Sequence, residues 1–151
     1  MRPILLPLIV TTLLTTQSYA AETTIEGRWQ CSDKSVDGAL HINLNFRADG
    51  QLDTRLELVF EEDGLEIRGV VQTRSTYELL SSGILKDKTT QKELISLTAD
   101  GYDIKNHPDA KELRVYLLAE DDTPTNVVDL TKNKMVLTSN GETISCNRTR
   151  G

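Results

Sequence analysis

The side chains in this chain that could do chemistry are few, and their spacing decides which chemistry is open to each. Two histidines, His41 and His107, could bind zinc only with further imidazole or thiolate ligands converging on them, and the two cysteines, Cys31 and Cys146, supply no pair at ligand spacing. His41 falls opposite Glu57 in the strand register derived below, which makes it half of a surface ion pair rather than of a catalytic dyad. His107 stands beside Pro108 in a loop with no partner evident from the sequence. Asp100, Asp103, Asn106 and Asp109 offer oxygens at three-residue steps, without the alternate spacing and central glycine of a calcium loop. Glu120-Asp121-Asp122, just before Pro124, reads as a solvated turn. A G-x-S-x-G elbow is missing, and nothing places a histidine against a particular serine. The sequence therefore predicts no catalytic residue, no metal site and no cofactor: a protein that binds rather than an enzyme.

The cysteines gain their meaning from the segment at the start of the chain. Arg2 is a short positive region, Ile4 to Leu14 an apolar run, and Ser18-Tyr19-Ala20 a small-residue exit. Together they predict an export signal over 1–20, cut after Ala20, and a single domain over 21–151. Thr11, Thr12, Thr15, Thr16 and Gln17 interrupt the apolar run, so membrane insertion is not expected. No cysteine lies near the cut to carry a lipid. The signal looks bacterial, and a periplasmic or secreted location follows. In an oxidising compartment two cysteines imply one disulfide. Its span is 146 − 31 = 115 positions, and in the chain-entropy model such a crosslink contributes about 4–5 kcal/mol.

Removing Arg2 leaves 17 − 1 = 16 basic against 23 acidic side chains, a net charge of −7. That balance argues against nucleic acid or an anionic membrane surface as a partner. It permits a basic protein partner, although solubility alone also accounts for it.

The elements that must position these residues are strands, because the apolar pattern after the signal has period two. Leu40, Ile42, Leu44 and Phe46 share a face, as do Leu52, Thr54, Leu56, Leu58 and Phe60, and then Leu65, Ile67, Gly69, Val71, Thr73, Ser75 and Tyr77. Asp63-Gly64 suits a two-residue hairpin loop, which sets Phe60 opposite Ile67, Leu58 opposite Gly69 and Leu56 opposite Val71. The outer face gains an Asp53–Arg74 pair and suffers Glu61 against Glu66. Ala48-Asp49-Gly50 works as a three-residue loop placing Phe46 opposite Leu52, since a two-residue loop would turn Phe46 toward Asp53 on the wrong face. Asn140-Gly141 pairs Leu137 with Ile144 and Met135 with Cys146. Ile25, Gly27, Trp29 and Cys31 share the inner face of the first strand, so both sulfurs point inward and the first and last strands must meet or face each other. Ser81-Ser82-Gly83 turns Leu79 against Leu85. Residues 86–93 are polar and are expected to form an exposed loop or frayed hairpin. Leu94 to Thr98, Leu113 to Leu118, Val127 to Leu130 and Met135 to Thr138 read as further strands, with a short helix over 126–133 as the alternative for the third. The resulting fold is all-β: a single antiparallel meander barrel of about eight strands, or a β-sandwich.

Gly27-Arg28-Trp29 on the first strand, consecutive hairpins and a closing strand ending in Cys146-Asn147-Arg148 together resemble the lipocalin-like (calycin) barrels. The resemblance implies that Trp29 plugs one end of the barrel and that a late arginine, here Arg148, stacks on its ring, an interaction worth about 0.5–2 kcal/mol. It also explains the disulfide, because barrel closure sets the first and last strands side by side.

Leu40, Ile42, Leu56, Leu58, Phe60, Ile67 and Val71 can fill a solid core or line a cavity. Thr54, Thr73, Ser75 and Tyr77 continue the inward face away from the Asp63-Gly64 turn, which predicts a polar mouth. Convergent hydroxyls in an apolar cavity orient small ligands, so the candidate ligand-binding residues are Trp29, Thr54, Thr73, Ser75 and Tyr77. Two functions are compatible with these residues. One is an exported non-catalytic protein holding a small apolar or amphipathic ligand. The other is a periplasmic protein-binding module, an enzyme inhibitor or immunity protein, whose acidic surface meets a basic partner.

Overall fold

The computed structural model describes residues 23–35, 38–120 and 123–150. The export signal expected over 1–20 lies outside the described residues, as do Asp121 and Asp122 of the acidic run. Nine strands make one antiparallel sheet: β1 (Gly27–Ser35), β2 (Gly38–Phe46), β3 (Gln51–Glu62), β4 (Leu65–Leu79), β5 (Ile84–Ala99), β6 (Tyr102–Asp103), β7 (Thr125–Leu130), β8 (Lys134–Ser139) and β9 (Glu142–Arg148). A 3-10 turn, Pro108–Ala110, leads into one helix, α1 (Lys111–Leu118). Each strand pairs with the next along the chain, except that β5 passes over the two-residue β6 to reach β7. β9 returns to β1, which closes an eight-stranded meander barrel and sets aside the sandwich alternative.

The turns act as the register argument requires. Asp63 and Gly64 take φ of 52° and 78°, the left-handed backbone that a two-residue loop demands and that Asp and Gly tolerate best. Phe60 then faces Ile67, Leu58 faces Gly69 and Leu56 faces Val71. Phe46 faces Leu52, Leu79 faces Leu85, and Leu137 faces Ile144. On the outer face Arg74 Nε donates to Asp53 Oδ1 at 3.0 Å. Glu61 does stand opposite Glu66, and Arg68, 3.5 Å from the Glu66 carboxylate, offsets that repulsion. Cys31 and Cys146 are direct cross-strand partners joined by a disulfide across the β1–β9 seam.

The strand pattern departs from expectation in two places. Residues 86–93 are not a loop: they belong to β5, sixteen residues long, paired along β4. Two register shifts leave Thr90 and Ile95 without a cross-strand partner, and these bulges break the period-two signal. The Thr90 hydroxyl stabilises its bulge by donating to the Arg74 carbonyl at 3.0 Å. Second, Leu113 to Leu118 is not a strand but lies in α1. Ala110, Leu113 and Leu117 recur at helical spacing and pack into the barrel, while Val115 and Tyr116 turn outward at 65 % and 73 % exposure. Pro108 begins the preceding turn, and Arg114 Nη1 ties the helix back to the carbonyls of Lys105 and His107 at 2.9 and 2.8 Å. The strand read over Val127 to Leu130 is present as β7, and the helix alternative over 126–133 is set aside.

The interior divides in two. One apolar cluster gathers Trp29, Phe46, Leu52, Leu85, Met135 and Leu137 around the disulfide. The other gathers Ile67, Val71, Leu94 and Leu97 beneath Ala110 and Leu117. Gly69 lets α1 come this close: a β-carbon there would stand 3.1 Å from Leu117 Cδ1.

Candidate functional site

One end of the barrel is closed by Trp29, which is buried, and its indole Nε1 donates to the Ile25 carbonyl at 2.8 Å. The Arg148 guanidinium lies over the ring, with its carbon 4.1 Å from the ring centroid. Three backbone carbonyls hold that guanidinium: Arg148 Nε donates to Lys132 at 2.6 Å, Nη2 to Thr24 at 2.7 Å, and Nη1 to Glu26. Gly27 makes the room, since its φ is 114° and a β-carbon there would meet Arg148 Nη1 at 2.6 Å. The arrangement straps the start of the described chain to the last strand and covers the indole against water.

Between the two apolar clusters lies a belt of polar side chains. On β3 the inward order is Leu52, Thr54, Leu56, on β4 Val71, Thr73, Ser75, Tyr77, and on β5 Leu85, Asp87, Thr89, Lys92, Leu94. Thr54 faces Thr73, and Thr73 faces Lys92, so one row crosses three strands. Ser75 faces Thr89, and their hydroxyl oxygens are 3.5 Å apart. A cavity of about 520 Å³ opens over this belt. Its polar wall is Thr54, Thr73, Ser75 and Thr89; its apolar wall is Leu56, Leu58, Val71 and Leu117; its rim carries Asp87, Tyr116, Ala119 and Glu120. An adjoining groove of about 310 Å³ runs past Leu40, Phe60 and Gly38 and shares Leu58 and Tyr116 with the cavity.

The structure thus brings Thr54, Thr73 and Ser75 to one cavity and leaves Tyr77 and Trp29 off its lining. Tyr77 belongs to the closed end, where its ring meets Phe46 edge-on at 4.9 Å and its hydroxyl donates to the Arg47 carbonyl at 3.0 Å. Burial, reinforced by the carboxylates of Glu26 and Asp49, pushes the Tyr77 phenol above its usual value. The expected polar mouth is therefore a polar middle, flanked by apolar side chains on both sides. His41 does stand opposite Glu57, but the Glu57 carboxylate pairs with Arg68 at 3.1 Å instead. His107 has a structural partner, accepting the Asp109 backbone N–H at Nδ1 and so capping the 3-10 turn. Asp100 and Asp103 likewise accept backbone N–H groups, from Glu66 and Lys105.

Thr89, Lys92 and Leu117 line the cavity without having been singled out as candidates. For Thr89 a signal existed: carrying the Leu79–Leu85 register two steps further sets Ser75 against Thr89. Lys92 lies past the first bulge, where simple alternation fails, and Leu117 lies on the element read as a strand. Lys92 is half-buried, and its ammonium donates to the Ala119 carbonyl at the end of α1. Among the described residues no carboxylate stands within 4 Å of it.

Fold and closed end together define a small antiparallel eight-stranded barrel with one plugged end and a half-polar interior, an architecture consistent with the calycin-like barrels. No protein-family model matches the chain, and no curated protein matches it.

Proposed function

We propose that this is an exported, non-catalytic binding protein of lipocalin-like type, which holds a small amphipathic molecule in its barrel. The observation that carries the proposal is the cavity of about 520 Å³, apolar on one wall and lined by four hydroxyls on the other. Its volume falls in the roughly 300–1,000 Å³ range of small-molecule sites, and a few convergent polar groups on an apolar surface are what fix a ligand's orientation. The disulfide supports a place of action outside the cytoplasm. Native mass spectrometry of protein purified from its own host tests the reading. One small amphiphile per chain is expected, lost when Leu56→Trp fills the cavity. Empty host-purified protein that also fails to take up a neutral fluorescent naphthylamine overturns it.

A second reading is favoured by the outer face of α1, where Val115 and Tyr116 are exposed and Tyr116 shares a groove with Glu61, Glu62 and Glu112. An apolar strip bordered by carboxylates suits a basic protein surface, as an inhibitor or immunity protein would require. Salt-sensitive capture of a basic protein, abolished by Tyr116→Ala but not by Leu56→Trp, supports that reading over the first.

A further inference from the structure

We infer that the ligand enters the barrel as a single-chain amphiphile with an anionic head, and that Lys92 is the residue that selects the charge. The inference deepens the cavity reading and rests on it. Among the described residues, Lys92 is the one cation on the cavity lining. It sits inside the polar belt, directly across from Thr73, which in turn faces Thr54. Its ammonium has three donors, and the Ala119 carbonyl takes one. A backbone carbonyl satisfies a hydrogen bond without neutralising a charge, so the ammonium of this half-buried lysine keeps a preference for an anion. Among the described residues the acids on the lining are Asp87 and Glu120; both stand at the exposed rim and neither lies within 4 Å of the ammonium. Thr73 and Thr89 flank the lysine with hydroxyls that can donate to a head-group oxygen. The apolar side of the cavity, Leu56, Leu58 and Val71, then continues toward Phe60 and Leu40 and accommodates one alkyl chain. One cation among hydroxyls suits a head with a single negative charge, and the apolar groove that continues from the cavity suits a single tail.

The test is calorimetric titration of the oxidised mature chain with four probes of equal tail length: dodecanoate, dodecyl phosphate, dodecanol and dodecylamine. A charge-assisted hydrogen bond separates anionic from neutral heads by about ten- to one-hundredfold in affinity. The expected order is therefore dodecanoate or dodecyl phosphate well above dodecanol, with dodecylamine weakest, and the ratio of the two anions tells a carboxylate head from a phosphate head. In Lys92→Gln the preference for anions should fall about tenfold or more while dodecanol binding stays. Lys92→Arg should keep the preference, which separates charge from any loosening of α1. Equal binding of neutral and anionic probes, or an anion preference that survives in Lys92→Gln, overturns the head-group inference and leaves the cavity reading intact. Failure of all four probes to bind overturns the cavity reading itself.

Discussion

Replacing Gly27 by alanine tests the closed end of the barrel most sharply. Gly27 has φ of 114°, a region in which an L side chain costs about 1–3 kcal/mol. The new β-carbon would also lie 2.6 Å from Arg148 Nη1, so the guanidinium must move. That movement disturbs its bonds to the Glu26, Thr24 and Lys132 carbonyls and its stacking on Trp29. Loss of one charge-assisted hydrogen bond costs about 1.5–3 kcal/mol, although water replaces part of it at this exposed rim. The sum is a destabilisation of about 2–5 kcal/mol, and at about 4 °C per kcal/mol for a domain of this size the melting temperature falls by about 8–20 °C. Trp29 is the only tryptophan in the chain and is buried, so its fluorescence reports urea unfolding of the oxidised protein directly. The decisive measurement is the double-mutant cycle with Arg148→Ala. Once the arginine is gone the β-carbon has space, and the double variant should be more stable than the sum of the singles by about 1 kcal/mol or more. Additivity within about 0.5 kcal/mol would show that glycine serves the backbone angle alone, and the account of a shared glycine–arginine–tryptophan unit would be wrong.

Two further outcomes follow from the same structure. Reducing the Cys31–Cys146 bond, which spans 115 positions, should lower the unfolding free energy by about 4–5 kcal/mol in denaturant titrations, and a loss below about 1 kcal/mol would contradict the chain-entropy argument. Tyr77, with its phenol pushed above the ordinary value of 10.0 by burial and then by Glu26 and Asp49, retains its proton in the folded state where the unfolded chain gives it up. That stabilising contribution is fully present below pH 10 and is lost as pH rises through the folded-state value. Tyr77→Phe should flatten the alkaline limb of the stability profile, and an unchanged limb would assign it to other groups.

Legibility in the sequence followed the length scale of the cause. Hairpin registers were readable because Asp63-Gly64, Asn140-Gly141 and the Ala48–Gly50 loop each fix a register within a few residues, and the inner face must then stay apolar. The Trp29–Arg148 stack was anticipated from the resemblance of Gly27-Arg28-Trp29 and the closing strand to the lipocalin-like barrels. The middle of β5, residues 86–93, was not readable. Its inward residues Asp87, Thr89 and Lys92 carry no apolar alternation, and the bulges at Thr90 and Ile95 shift the face twice. What makes 86–93 a strand is the ladder offered by β4, a partner distant in space rather than a local preference. α1 failed for a related reason. Leu113, Val115 and Leu117 satisfy period two as well as Ala110, Leu113 and Leu117 satisfy a helix, and only the open barrel end above Gly69 decides between them.

The amino-acid order alone determined the all-β class, the hairpin registers and the covalent seam, because each depends on turn geometry, strand alternation or the pairing of two cysteines. Tertiary structure alone decided that Thr54, Thr73 and Ser75 share a cavity with Thr89 and Lys92, and that Tyr77 does not. That grouping depends on how far β4 and β5 run together and on where the helix end meets them, and such distances between remote segments are set by packing rather than by any local pattern.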